Sequence, residues 1–239
     1  MQSTFLPVKL VMEEPNTNGG RDLTCVGYTA NKIKYAVKRL DDDKLLPLSE
    51  WIGYKLCELV GILTPDYSVL ECLDGSLAFG SRWEDDSKQI YSFEPAFKVN
   101  FVYENAPEMS RIFALDIFYG NEDRHFGNFI STRRAGEDVL LAMDFSRAGP
   151  VISSPFGHNS LPINCKTSIC MDVLKNTIPR SIFDDKKFTE CKTIIEKLTK
   201  IDMGIILDSA PKEWFIGVSK DDILNWWDTG FKARVDEIK

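Results

Sequence analysis

The sequence predicts an α+β protein of two unequal lobes: a small β-rich N-terminal lobe over residues 1–84 and a larger helical C-terminal lobe over residues 85–239. Three observations lead there. Strand-type alternation and a hairpin turn signal occupy the first part of the chain. Apolar residues recur at helical spacing through most of the remainder. Between the two lies a polar break, Glu84-Asp85-Asp86-Ser87-Lys88, which sets the boundary.

Residues 13–21 are polar, contain Pro15, Gly19 and Gly20, and predict a loop. Residues 24–28 form a short β-prone run. Over residues 32–40 apolar and basic side chains alternate, with Ile33, Tyr35 and Val37 on one face and Lys34, Ala36 and Lys38 on the other. Asn31 suits the turn between these strands. Pro47-Leu48-Ser49 open a helix with an apolar face of Leu48, Trp51, Ile52, Leu56, Leu59 and Val60; Gly61 closes it, and Pro65 follows. Residues 67–73 and 76–83 read as strands joined at Asp74-Gly75. Beyond the boundary, helices are predicted over 107–119, 187–201 and 221–238. The second carries Phe188, Cys191, Ile195 and Leu198 in register, the third Leu224, Trp227, Phe231 and Val235. Short strands at 128–131 and 139–143 fall between the first two helices. Trp214, Trp226 and Trp227 read as packing between the last helices.

Composition narrows the function. A chain of 239 residues with 44% hydrophobic and 27% charged side chains can bury a core, which excludes disorder for most of its length. A net charge of −7 with scattered Lys and Arg argues against a nucleic-acid partner, which requires a basic face. No stretch has the length to span a bilayer, and residues 1–9 lack the apolar run of a secretory signal. Six cysteines without a Cys-x-x-Cys pair, beside only two histidines, fit free thiols in a reducing cytoplasm.

The chemistry concentrates between Asp116 and Asp144. Gly120-Asn121-Glu122-Asp123-Arg124-His125-Phe126-Gly127-Asn128 is followed, after a short hairpin, by Leu140-Leu141-Ala142-Met143-Asp144-Phe145-Ser146. An Asp, an Asn five residues later and a second Asp just after an apolar strand suit phosphoryl transfer. One carboxylate sits beside the acceptor hydroxyl, while the Asn and the second Asp hold magnesium against the phosphates. Asp-Arg pairs also occur as plain surface ion pairs. The strand lysine upstream, Lys38 in Tyr35-Ala36-Val37-Lys38, favours the phosphoryl-transfer reading. A lysine so placed reaches the ATP α- and β-phosphates, oriented by a helix glutamate, for which Glu50 is the candidate.

Taken together these segments resemble the HipA-like kinases, in particular short stand-alone members. The matching features are Tyr35-Ala36-Val37-Lys38, Ser49-Glu50 and Val60-Gly61-Ile62-Leu63-Thr64-Pro65. Phe79-Gly80-Ser81-Arg82, Asn121-Glu122-Asp123-Arg124-His125 with Asn128, Asp144-Phe145, and Ala210-Pro211-Lys212-Glu213-Trp214 complete them. The resemblance covers nearly the whole chain; the Asp-Arg-His-x-x-Asn element alone is shared with phosphoinositide kinases. It implies a two-lobed protein-kinase-like fold and an ATP- and Mg2+-dependent serine/threonine-protein kinase. Asp123 would be the base, Asn128 and Asp144 the magnesium ligands, and Lys38 the phosphate ligand. Asp116 and His125 would brace the catalytic loop, and Trp83 and Glu84 would lie at the adenine hinge. An inhibitory protein partner stays open.

Three departures stand out. Ser146 occupies the third position of the magnesium motif, where ordinary protein kinases carry Gly. His125 follows the catalytic Asp, whereas there it precedes it. Asn18-Gly19-Gly20 is the sole candidate for a phosphate-cradling loop. A non-catalytic nucleotide-binding module and a small-molecule or lipid kinase remain the alternatives.

Overall fold

The computed structural model describes residues 6–16, 23–89, 95–177 and 181–239. Five strands, β1 (Val8–Pro15), β2 (Cys25–Thr29), β3 (Lys34–Lys38), β4 (Tyr67–Glu71) and β5 (Leu77–Arg82), close a barrel in the order β1-β2-β3-β5-β4. Neighbours are antiparallel except β1 and β4, which pair in parallel through Val8 with Leu70 and Lys9 with Glu71. The alternation in β3 has its expected consequence. Tyr35 and Val37 point inward with Leu10, Leu70, Cys72 and Ala78, and the opposite face carries Ala36 and Lys38 into a cleft.

Residues 13–15 correct the loop expected there: they finish β1, with Glu13 opposite Gly27, Glu14 opposite Val26 and Pro15 opposite Cys25. Backbone pairing with β2 needs no apolar side chains, and Pro15, which lacks an N–H, sits at the strand end where it is tolerated.

Helix α1 (Leu46–Val60) ends on Gly61 at φ 71°. It is buried on nearly every face because it lies between the barrel and the helical part. Leu59, expected on its apolar face, is 42% exposed on the narrow open side.

A small sheet follows, β6 (Lys88–Gln89), β7 (Phe129–Arg134) and β8 (Glu137–Ala142), in that order. Helix α2 (Pro95–Tyr119) carries Pro107 inside it, so the helix expected to start at Pro107 starts well before it. Proline removes one backbone hydrogen bond, but Met109, Ile112, Phe113 and Phe118 are fully buried, and packing carries the helix through.

After α3 (Gly149–Ile152) and α4 (Lys166–Asp172), the helix expected over 187–201 proves to be α5 (Asp185–Ile195), with a separate α6 (Lys200–Ser209) beyond it. The break is Thr199, whose side chain and that of Asp202 form a capping box. The helix expected over 221–238 is likewise two, α7 (Lys220–Thr229) and α8 (Phe231–Asp236), parted at Gly230.

One continuous core links these elements, from Leu48 and Ile52 of α1 through Phe113 and Phe118 of α2 to Trp214, Trp227 and Ile238. Among the described residues no helix is long and apolar enough to cross a membrane.

Candidate active site

Lys38 leaves β3 on the cleft side and is only 7% exposed. Its Nζ lies 3.4 Å from Glu50 Oε1 and 3.2 Å from Asp144 Oδ1. Glu50, near the start of α1, accepts a 3.1 Å hydrogen bond from the Phe145 amide on its other oxygen. Next to it, Ser49 Oγ lies 2.8 Å from the carbonyl oxygens of both Phe145 and Ala148. The first turn of α1 is thereby fastened to the segment that follows Asp144.

The two carboxylates around Lys38 differ. Burial pushes Glu50 up to about 7, against the pull of Lys38 and with a further push from Asp144. Burial also opposes ionisation of Asp144, but the Lys38 ammonium and the Ser146 hydroxyl outweigh it and hold the carboxyl well below the usual range. Ser146 Oγ donates to Asp144 Oδ1 at 2.5 Å, so the serine that departs from the kinase pattern has a direct partner. Asp144 itself adopts φ 63° just beyond β8, a left-handed conformation that Asp tolerates better than most residues.

The loop between α2 and β7 hangs on a buried ion pair. Arg124 donates from Nε to Asp116 Oδ2 at 2.8 Å and from Nη2 to Oδ1 at 3.0 Å; neither side chain is exposed. Asn121 Nδ2 donates to Asp116 Oδ1 at 2.8 Å. Arg124 Nη1 donates to the Asn128 carbonyl at 3.0 Å and to that of Met143. One guanidinium therefore ties α2, the loop and the approach to Asp144 together. Its counter-charge raises Arg124 above its ordinary value, although burial alone would lower it.

Asp123 stands on this loop at the cleft, paired with Lys166 Nζ at 2.7 Å. Asn128 Nδ2 donates to the Asp123 carbonyl at 3.1 Å, which leaves its Oδ1 without a hydrogen-bond partner among the described residues. His125 Nδ1 accepts from the Gly127 amide at 3.0 Å and caps the short turn Phe126–Asn128. Burial, then the Lys166 charge, lower His125 below its ordinary value.

The cleft has a volume of about 1020 Å³ and brings Lys38, Glu50, Asp123, His125, Asn128 and Asp144 to one space. Trp83 and Glu84 lie on its rim; Lys34 Nζ sits 3.8 Å over the Trp83 ring, and Glu84 pairs with Arg134 at 3.0 Å. Asp116 lies beneath the loop. Gly19 and Gly20 fall outside the described residues.

Among the described residues no three Cys, His, Asp or Glu side chains group as a metal cage. Magnesium does not require one, since it keeps waters and takes one or two protein oxygens beside phosphate oxygens. The Asp144 carboxylate and the Asn128 amide oxygen, on two residues that line the cleft, are hard donors of the fitting kind.

Several site residues escaped the sequence reading. Arg124 and Ser49 were visible in the motifs, but nothing in their spacing gave them a role. Lys166 and Thr167 carry no motif at all. His158 Nε2 lies 3.8 Å from Glu122 Oε1.

No protein-family profile and no curated protein matches the chain. Solved structures do. The Helicobacter pylori proinflammatory kinase CtkA matches with a TM-score of 0.58 over 98% of this chain and 97% of its own, at 14% identity. The fold is that of a HipA-like kinase. HipA of Shewanella oneidensis MR-1, solved with HipB and operator DNA, matches at a TM-score of 0.48, over 86% of this chain and 59% of its own, at 12% identity. At such identity the likeness to CtkA speaks for fold alone. It agrees with the resemblance carried by the sequence motifs.

Proposed function

We propose that the chain is an ATP- and Mg2+-dependent phosphotransferase that phosphorylates serine or threonine hydroxyls of a protein. The observation that carries this is the meeting of Lys38 with Asp144, 106 positions apart, in the cleft that Asp123 and Asn128 also line. On this reading residues 1–84 and 85–239 act as the two lobes around the nucleotide.

Lys38, held by Glu50, binds the α- and β-phosphates. Ala36, Ile130 and Met143 supply apolar wall for the adenine. Asp144 and the Asn128 amide oxygen hold magnesium, which neutralises charge on the phosphate oxygens. Asp123 accepts the proton of the attacking hydroxyl. Arg124 keeps the loop and the Asp144 approach in one geometry, and such positioning is the main source of rate in phosphoryl transfer.

The test is label transfer from γ-labelled ATP with Mg2+ to dephosphorylated casein, to the chain itself or to water. Asp123→Ala is expected to lower the rate by about 10²–10⁴-fold, and Asp144→Ala to abolish magnesium-dependent nucleotide binding in calorimetry. Nucleotide binding with no transfer to any of the three acceptors would leave a binding module instead.

A further inference from the structure

Lys166 is held over Asp123 by its neighbour in the chain. Thr167 is fully buried. Its hydroxyl donates to the Asn121 carbonyl and accepts from the Arg124 amide at 2.9 Å. Its own amide donates to the Glu122 carbonyl at 3.4 Å. Thr167 thus bonds the loop on both sides of Asp123. Upstream, Cys165 Sγ accepts from the Ser168 amide at 3.4 Å, and Ser168 Oγ donates to the Pro162 carbonyl at 2.9 Å, which shapes the start of α4. With Thr167 so anchored, the Lys166 side chain has Asp123 as its neighbour, and its Nζ stands 2.7 Å from Oδ1.

Stability does not account for this placement. The Lys166 side chain is 58% exposed, and a pair that open contributes about 0–1 kcal/mol. Two other cations nearby are engaged elsewhere, Lys38 with Glu50 and Asp144 and Arg124 with Asp116 beneath the loop; Arg82 and Arg147 also line the cleft, but Lys166 is the cation paired with Asp123. The Lys166 ammonium, on a flexible stem, thus lines the cleft against the Asp123 carboxylate.

We propose that Lys166 is a catalytic residue: its ammonium binds the γ-phosphoryl oxygens beside Asp123, and Thr167 positions it. This rests on the phosphotransferase reading given above. In the step, the acceptor O–H bond breaks and its proton goes to Asp123. The acceptor oxygen forms a bond to the γ-phosphorus as the bond to the β–γ bridging oxygen breaks, and ADP leaves with that electron pair. Lys166 stays protonated throughout. It exchanges the Asp123 carboxylate for phosphoryl oxygens when both substrates are present, and stabilises the negative charge spread over them in the transition state.

The experiment compares wild type, Lys166→Met, Lys166→Arg and Asp123→Ala, with γ-labelled ATP, Mg2+ and dephosphorylated casein, scoring label on casein, on the chain and in released phosphate. Lys166→Met is expected to lower kcat about 10²–10³-fold, with calorimetric affinity for Mg2+-ADP and thermal midpoint unchanged. Lys166→Arg, which keeps the charge, is expected to recover about tenfold or more over the methionine variant. A Lys166→Met enzyme within about threefold of wild type in kcat overturns the proposal. So does a loss matched by equal losses of ADP affinity and thermal midpoint, or an arginine variant with no recovery. A wild type that transfers label to none of the three acceptors defeats the phosphotransferase reading itself, and this inference with it. An active wild type, an inactive Asp123→Ala and a fully active Lys166→Met defeat only the role given to Lys166.

Discussion

Replacing Arg124 with methionine keeps an unbranched stem but removes the guanidinium, and with it the charge, from a site with no exposure to solvent. The Asp116 carboxylate then retains Asn121 Nδ2 as its remaining side-chain donor. Breaking a buried ion pair from one side costs about 3–5 kcal/mol. The carbonyls of Asn128 and Met143 lose a charged donor as well, which adds about 1–2 kcal/mol. The sum, about 4–7 kcal/mol, is a large share of the roughly 5–15 kcal/mol that holds a protein folded. With a urea slope of about 3 kcal/mol/M, the unfolding midpoint falls by roughly 1–2 M. Asp116→Asn leaves the Arg124 charge uncompensated in turn, whereas the double variant carries neither charge. Its destabilisation is therefore expected to fall short of the sum of the two singles by about 2–3 kcal/mol. Urea titration followed by tryptophan fluorescence reads all four proteins. A single Arg124→Met midpoint within about 0.3 M of wild type, or singles that simply add, would refute the account of Arg124 as the tie between α2, the loop and the Asp144 approach.

Glu50 gives stability a pH dependence. Its folded carboxyl is raised from 4.5 to about 7, chiefly by burial, so the folded state binds the proton more tightly than the unfolded chain. That contribution is complete at low pH and is lost as pH rises between those values, by about 3 kcal/mol in all. Asp144, held below 3.8, acts in the opposite sense only in more acid solution. The stability difference between wild type and Glu50→Gln, read by urea unfolding across pH 4.5–7, is expected to fall as pH rises; a flat difference would show Glu50 titrating normally. Gly53→Ala places a methyl carbon 2.4 Å from Phe145 Cγ. The strain is expected to cost about 1–3 kcal/mol and roughly 2–12 °C in Tm, with transfer from ATP reduced because Phe145 adjoins Asp144 and donates to Glu50. An unchanged Tm in a calorimetric scan would mean that Phe145 moves aside freely.

Much of the molecule was legible because it is written in local signals. The alternation around Lys38, the Asp74-Gly75 turn and the Gly61 helix end are each set within a few residues. Lys38, Glu50, Asp123, Asn128 and Asp144, which line one cleft, could be picked out in the sequence because their residue types and order are legible without knowing the packing. Where local signals competed, length went wrong. Pro107 carries the signal of a helix start yet lies inside α2, and the capping box at Thr199 and Asp202 is masked in the sequence by the apolar runs on either side of it. Strand β1 ends in Glu13, Glu14 and Pro15, whose pairing with β2 leaves no apolar trace.

The sequence by itself determined the mixture of strands and helices, the division of β3 into two faces, and the set of groups available for chemistry. Tertiary structure decided which of them meet: Lys38 between Glu50 and Asp144, Arg124 turned under its own loop to Asp116, Ser146 bonded to Asp144, and Lys166 set against Asp123 by Thr167. The division has a physical cause. Helix and strand periods repeat over a few residues and mark the chain wherever they occur. A hydrogen bond between distant segments depends on how whole elements pack, and a lone lysine or threonine looks the same in sequence whether it faces water or a carboxylate.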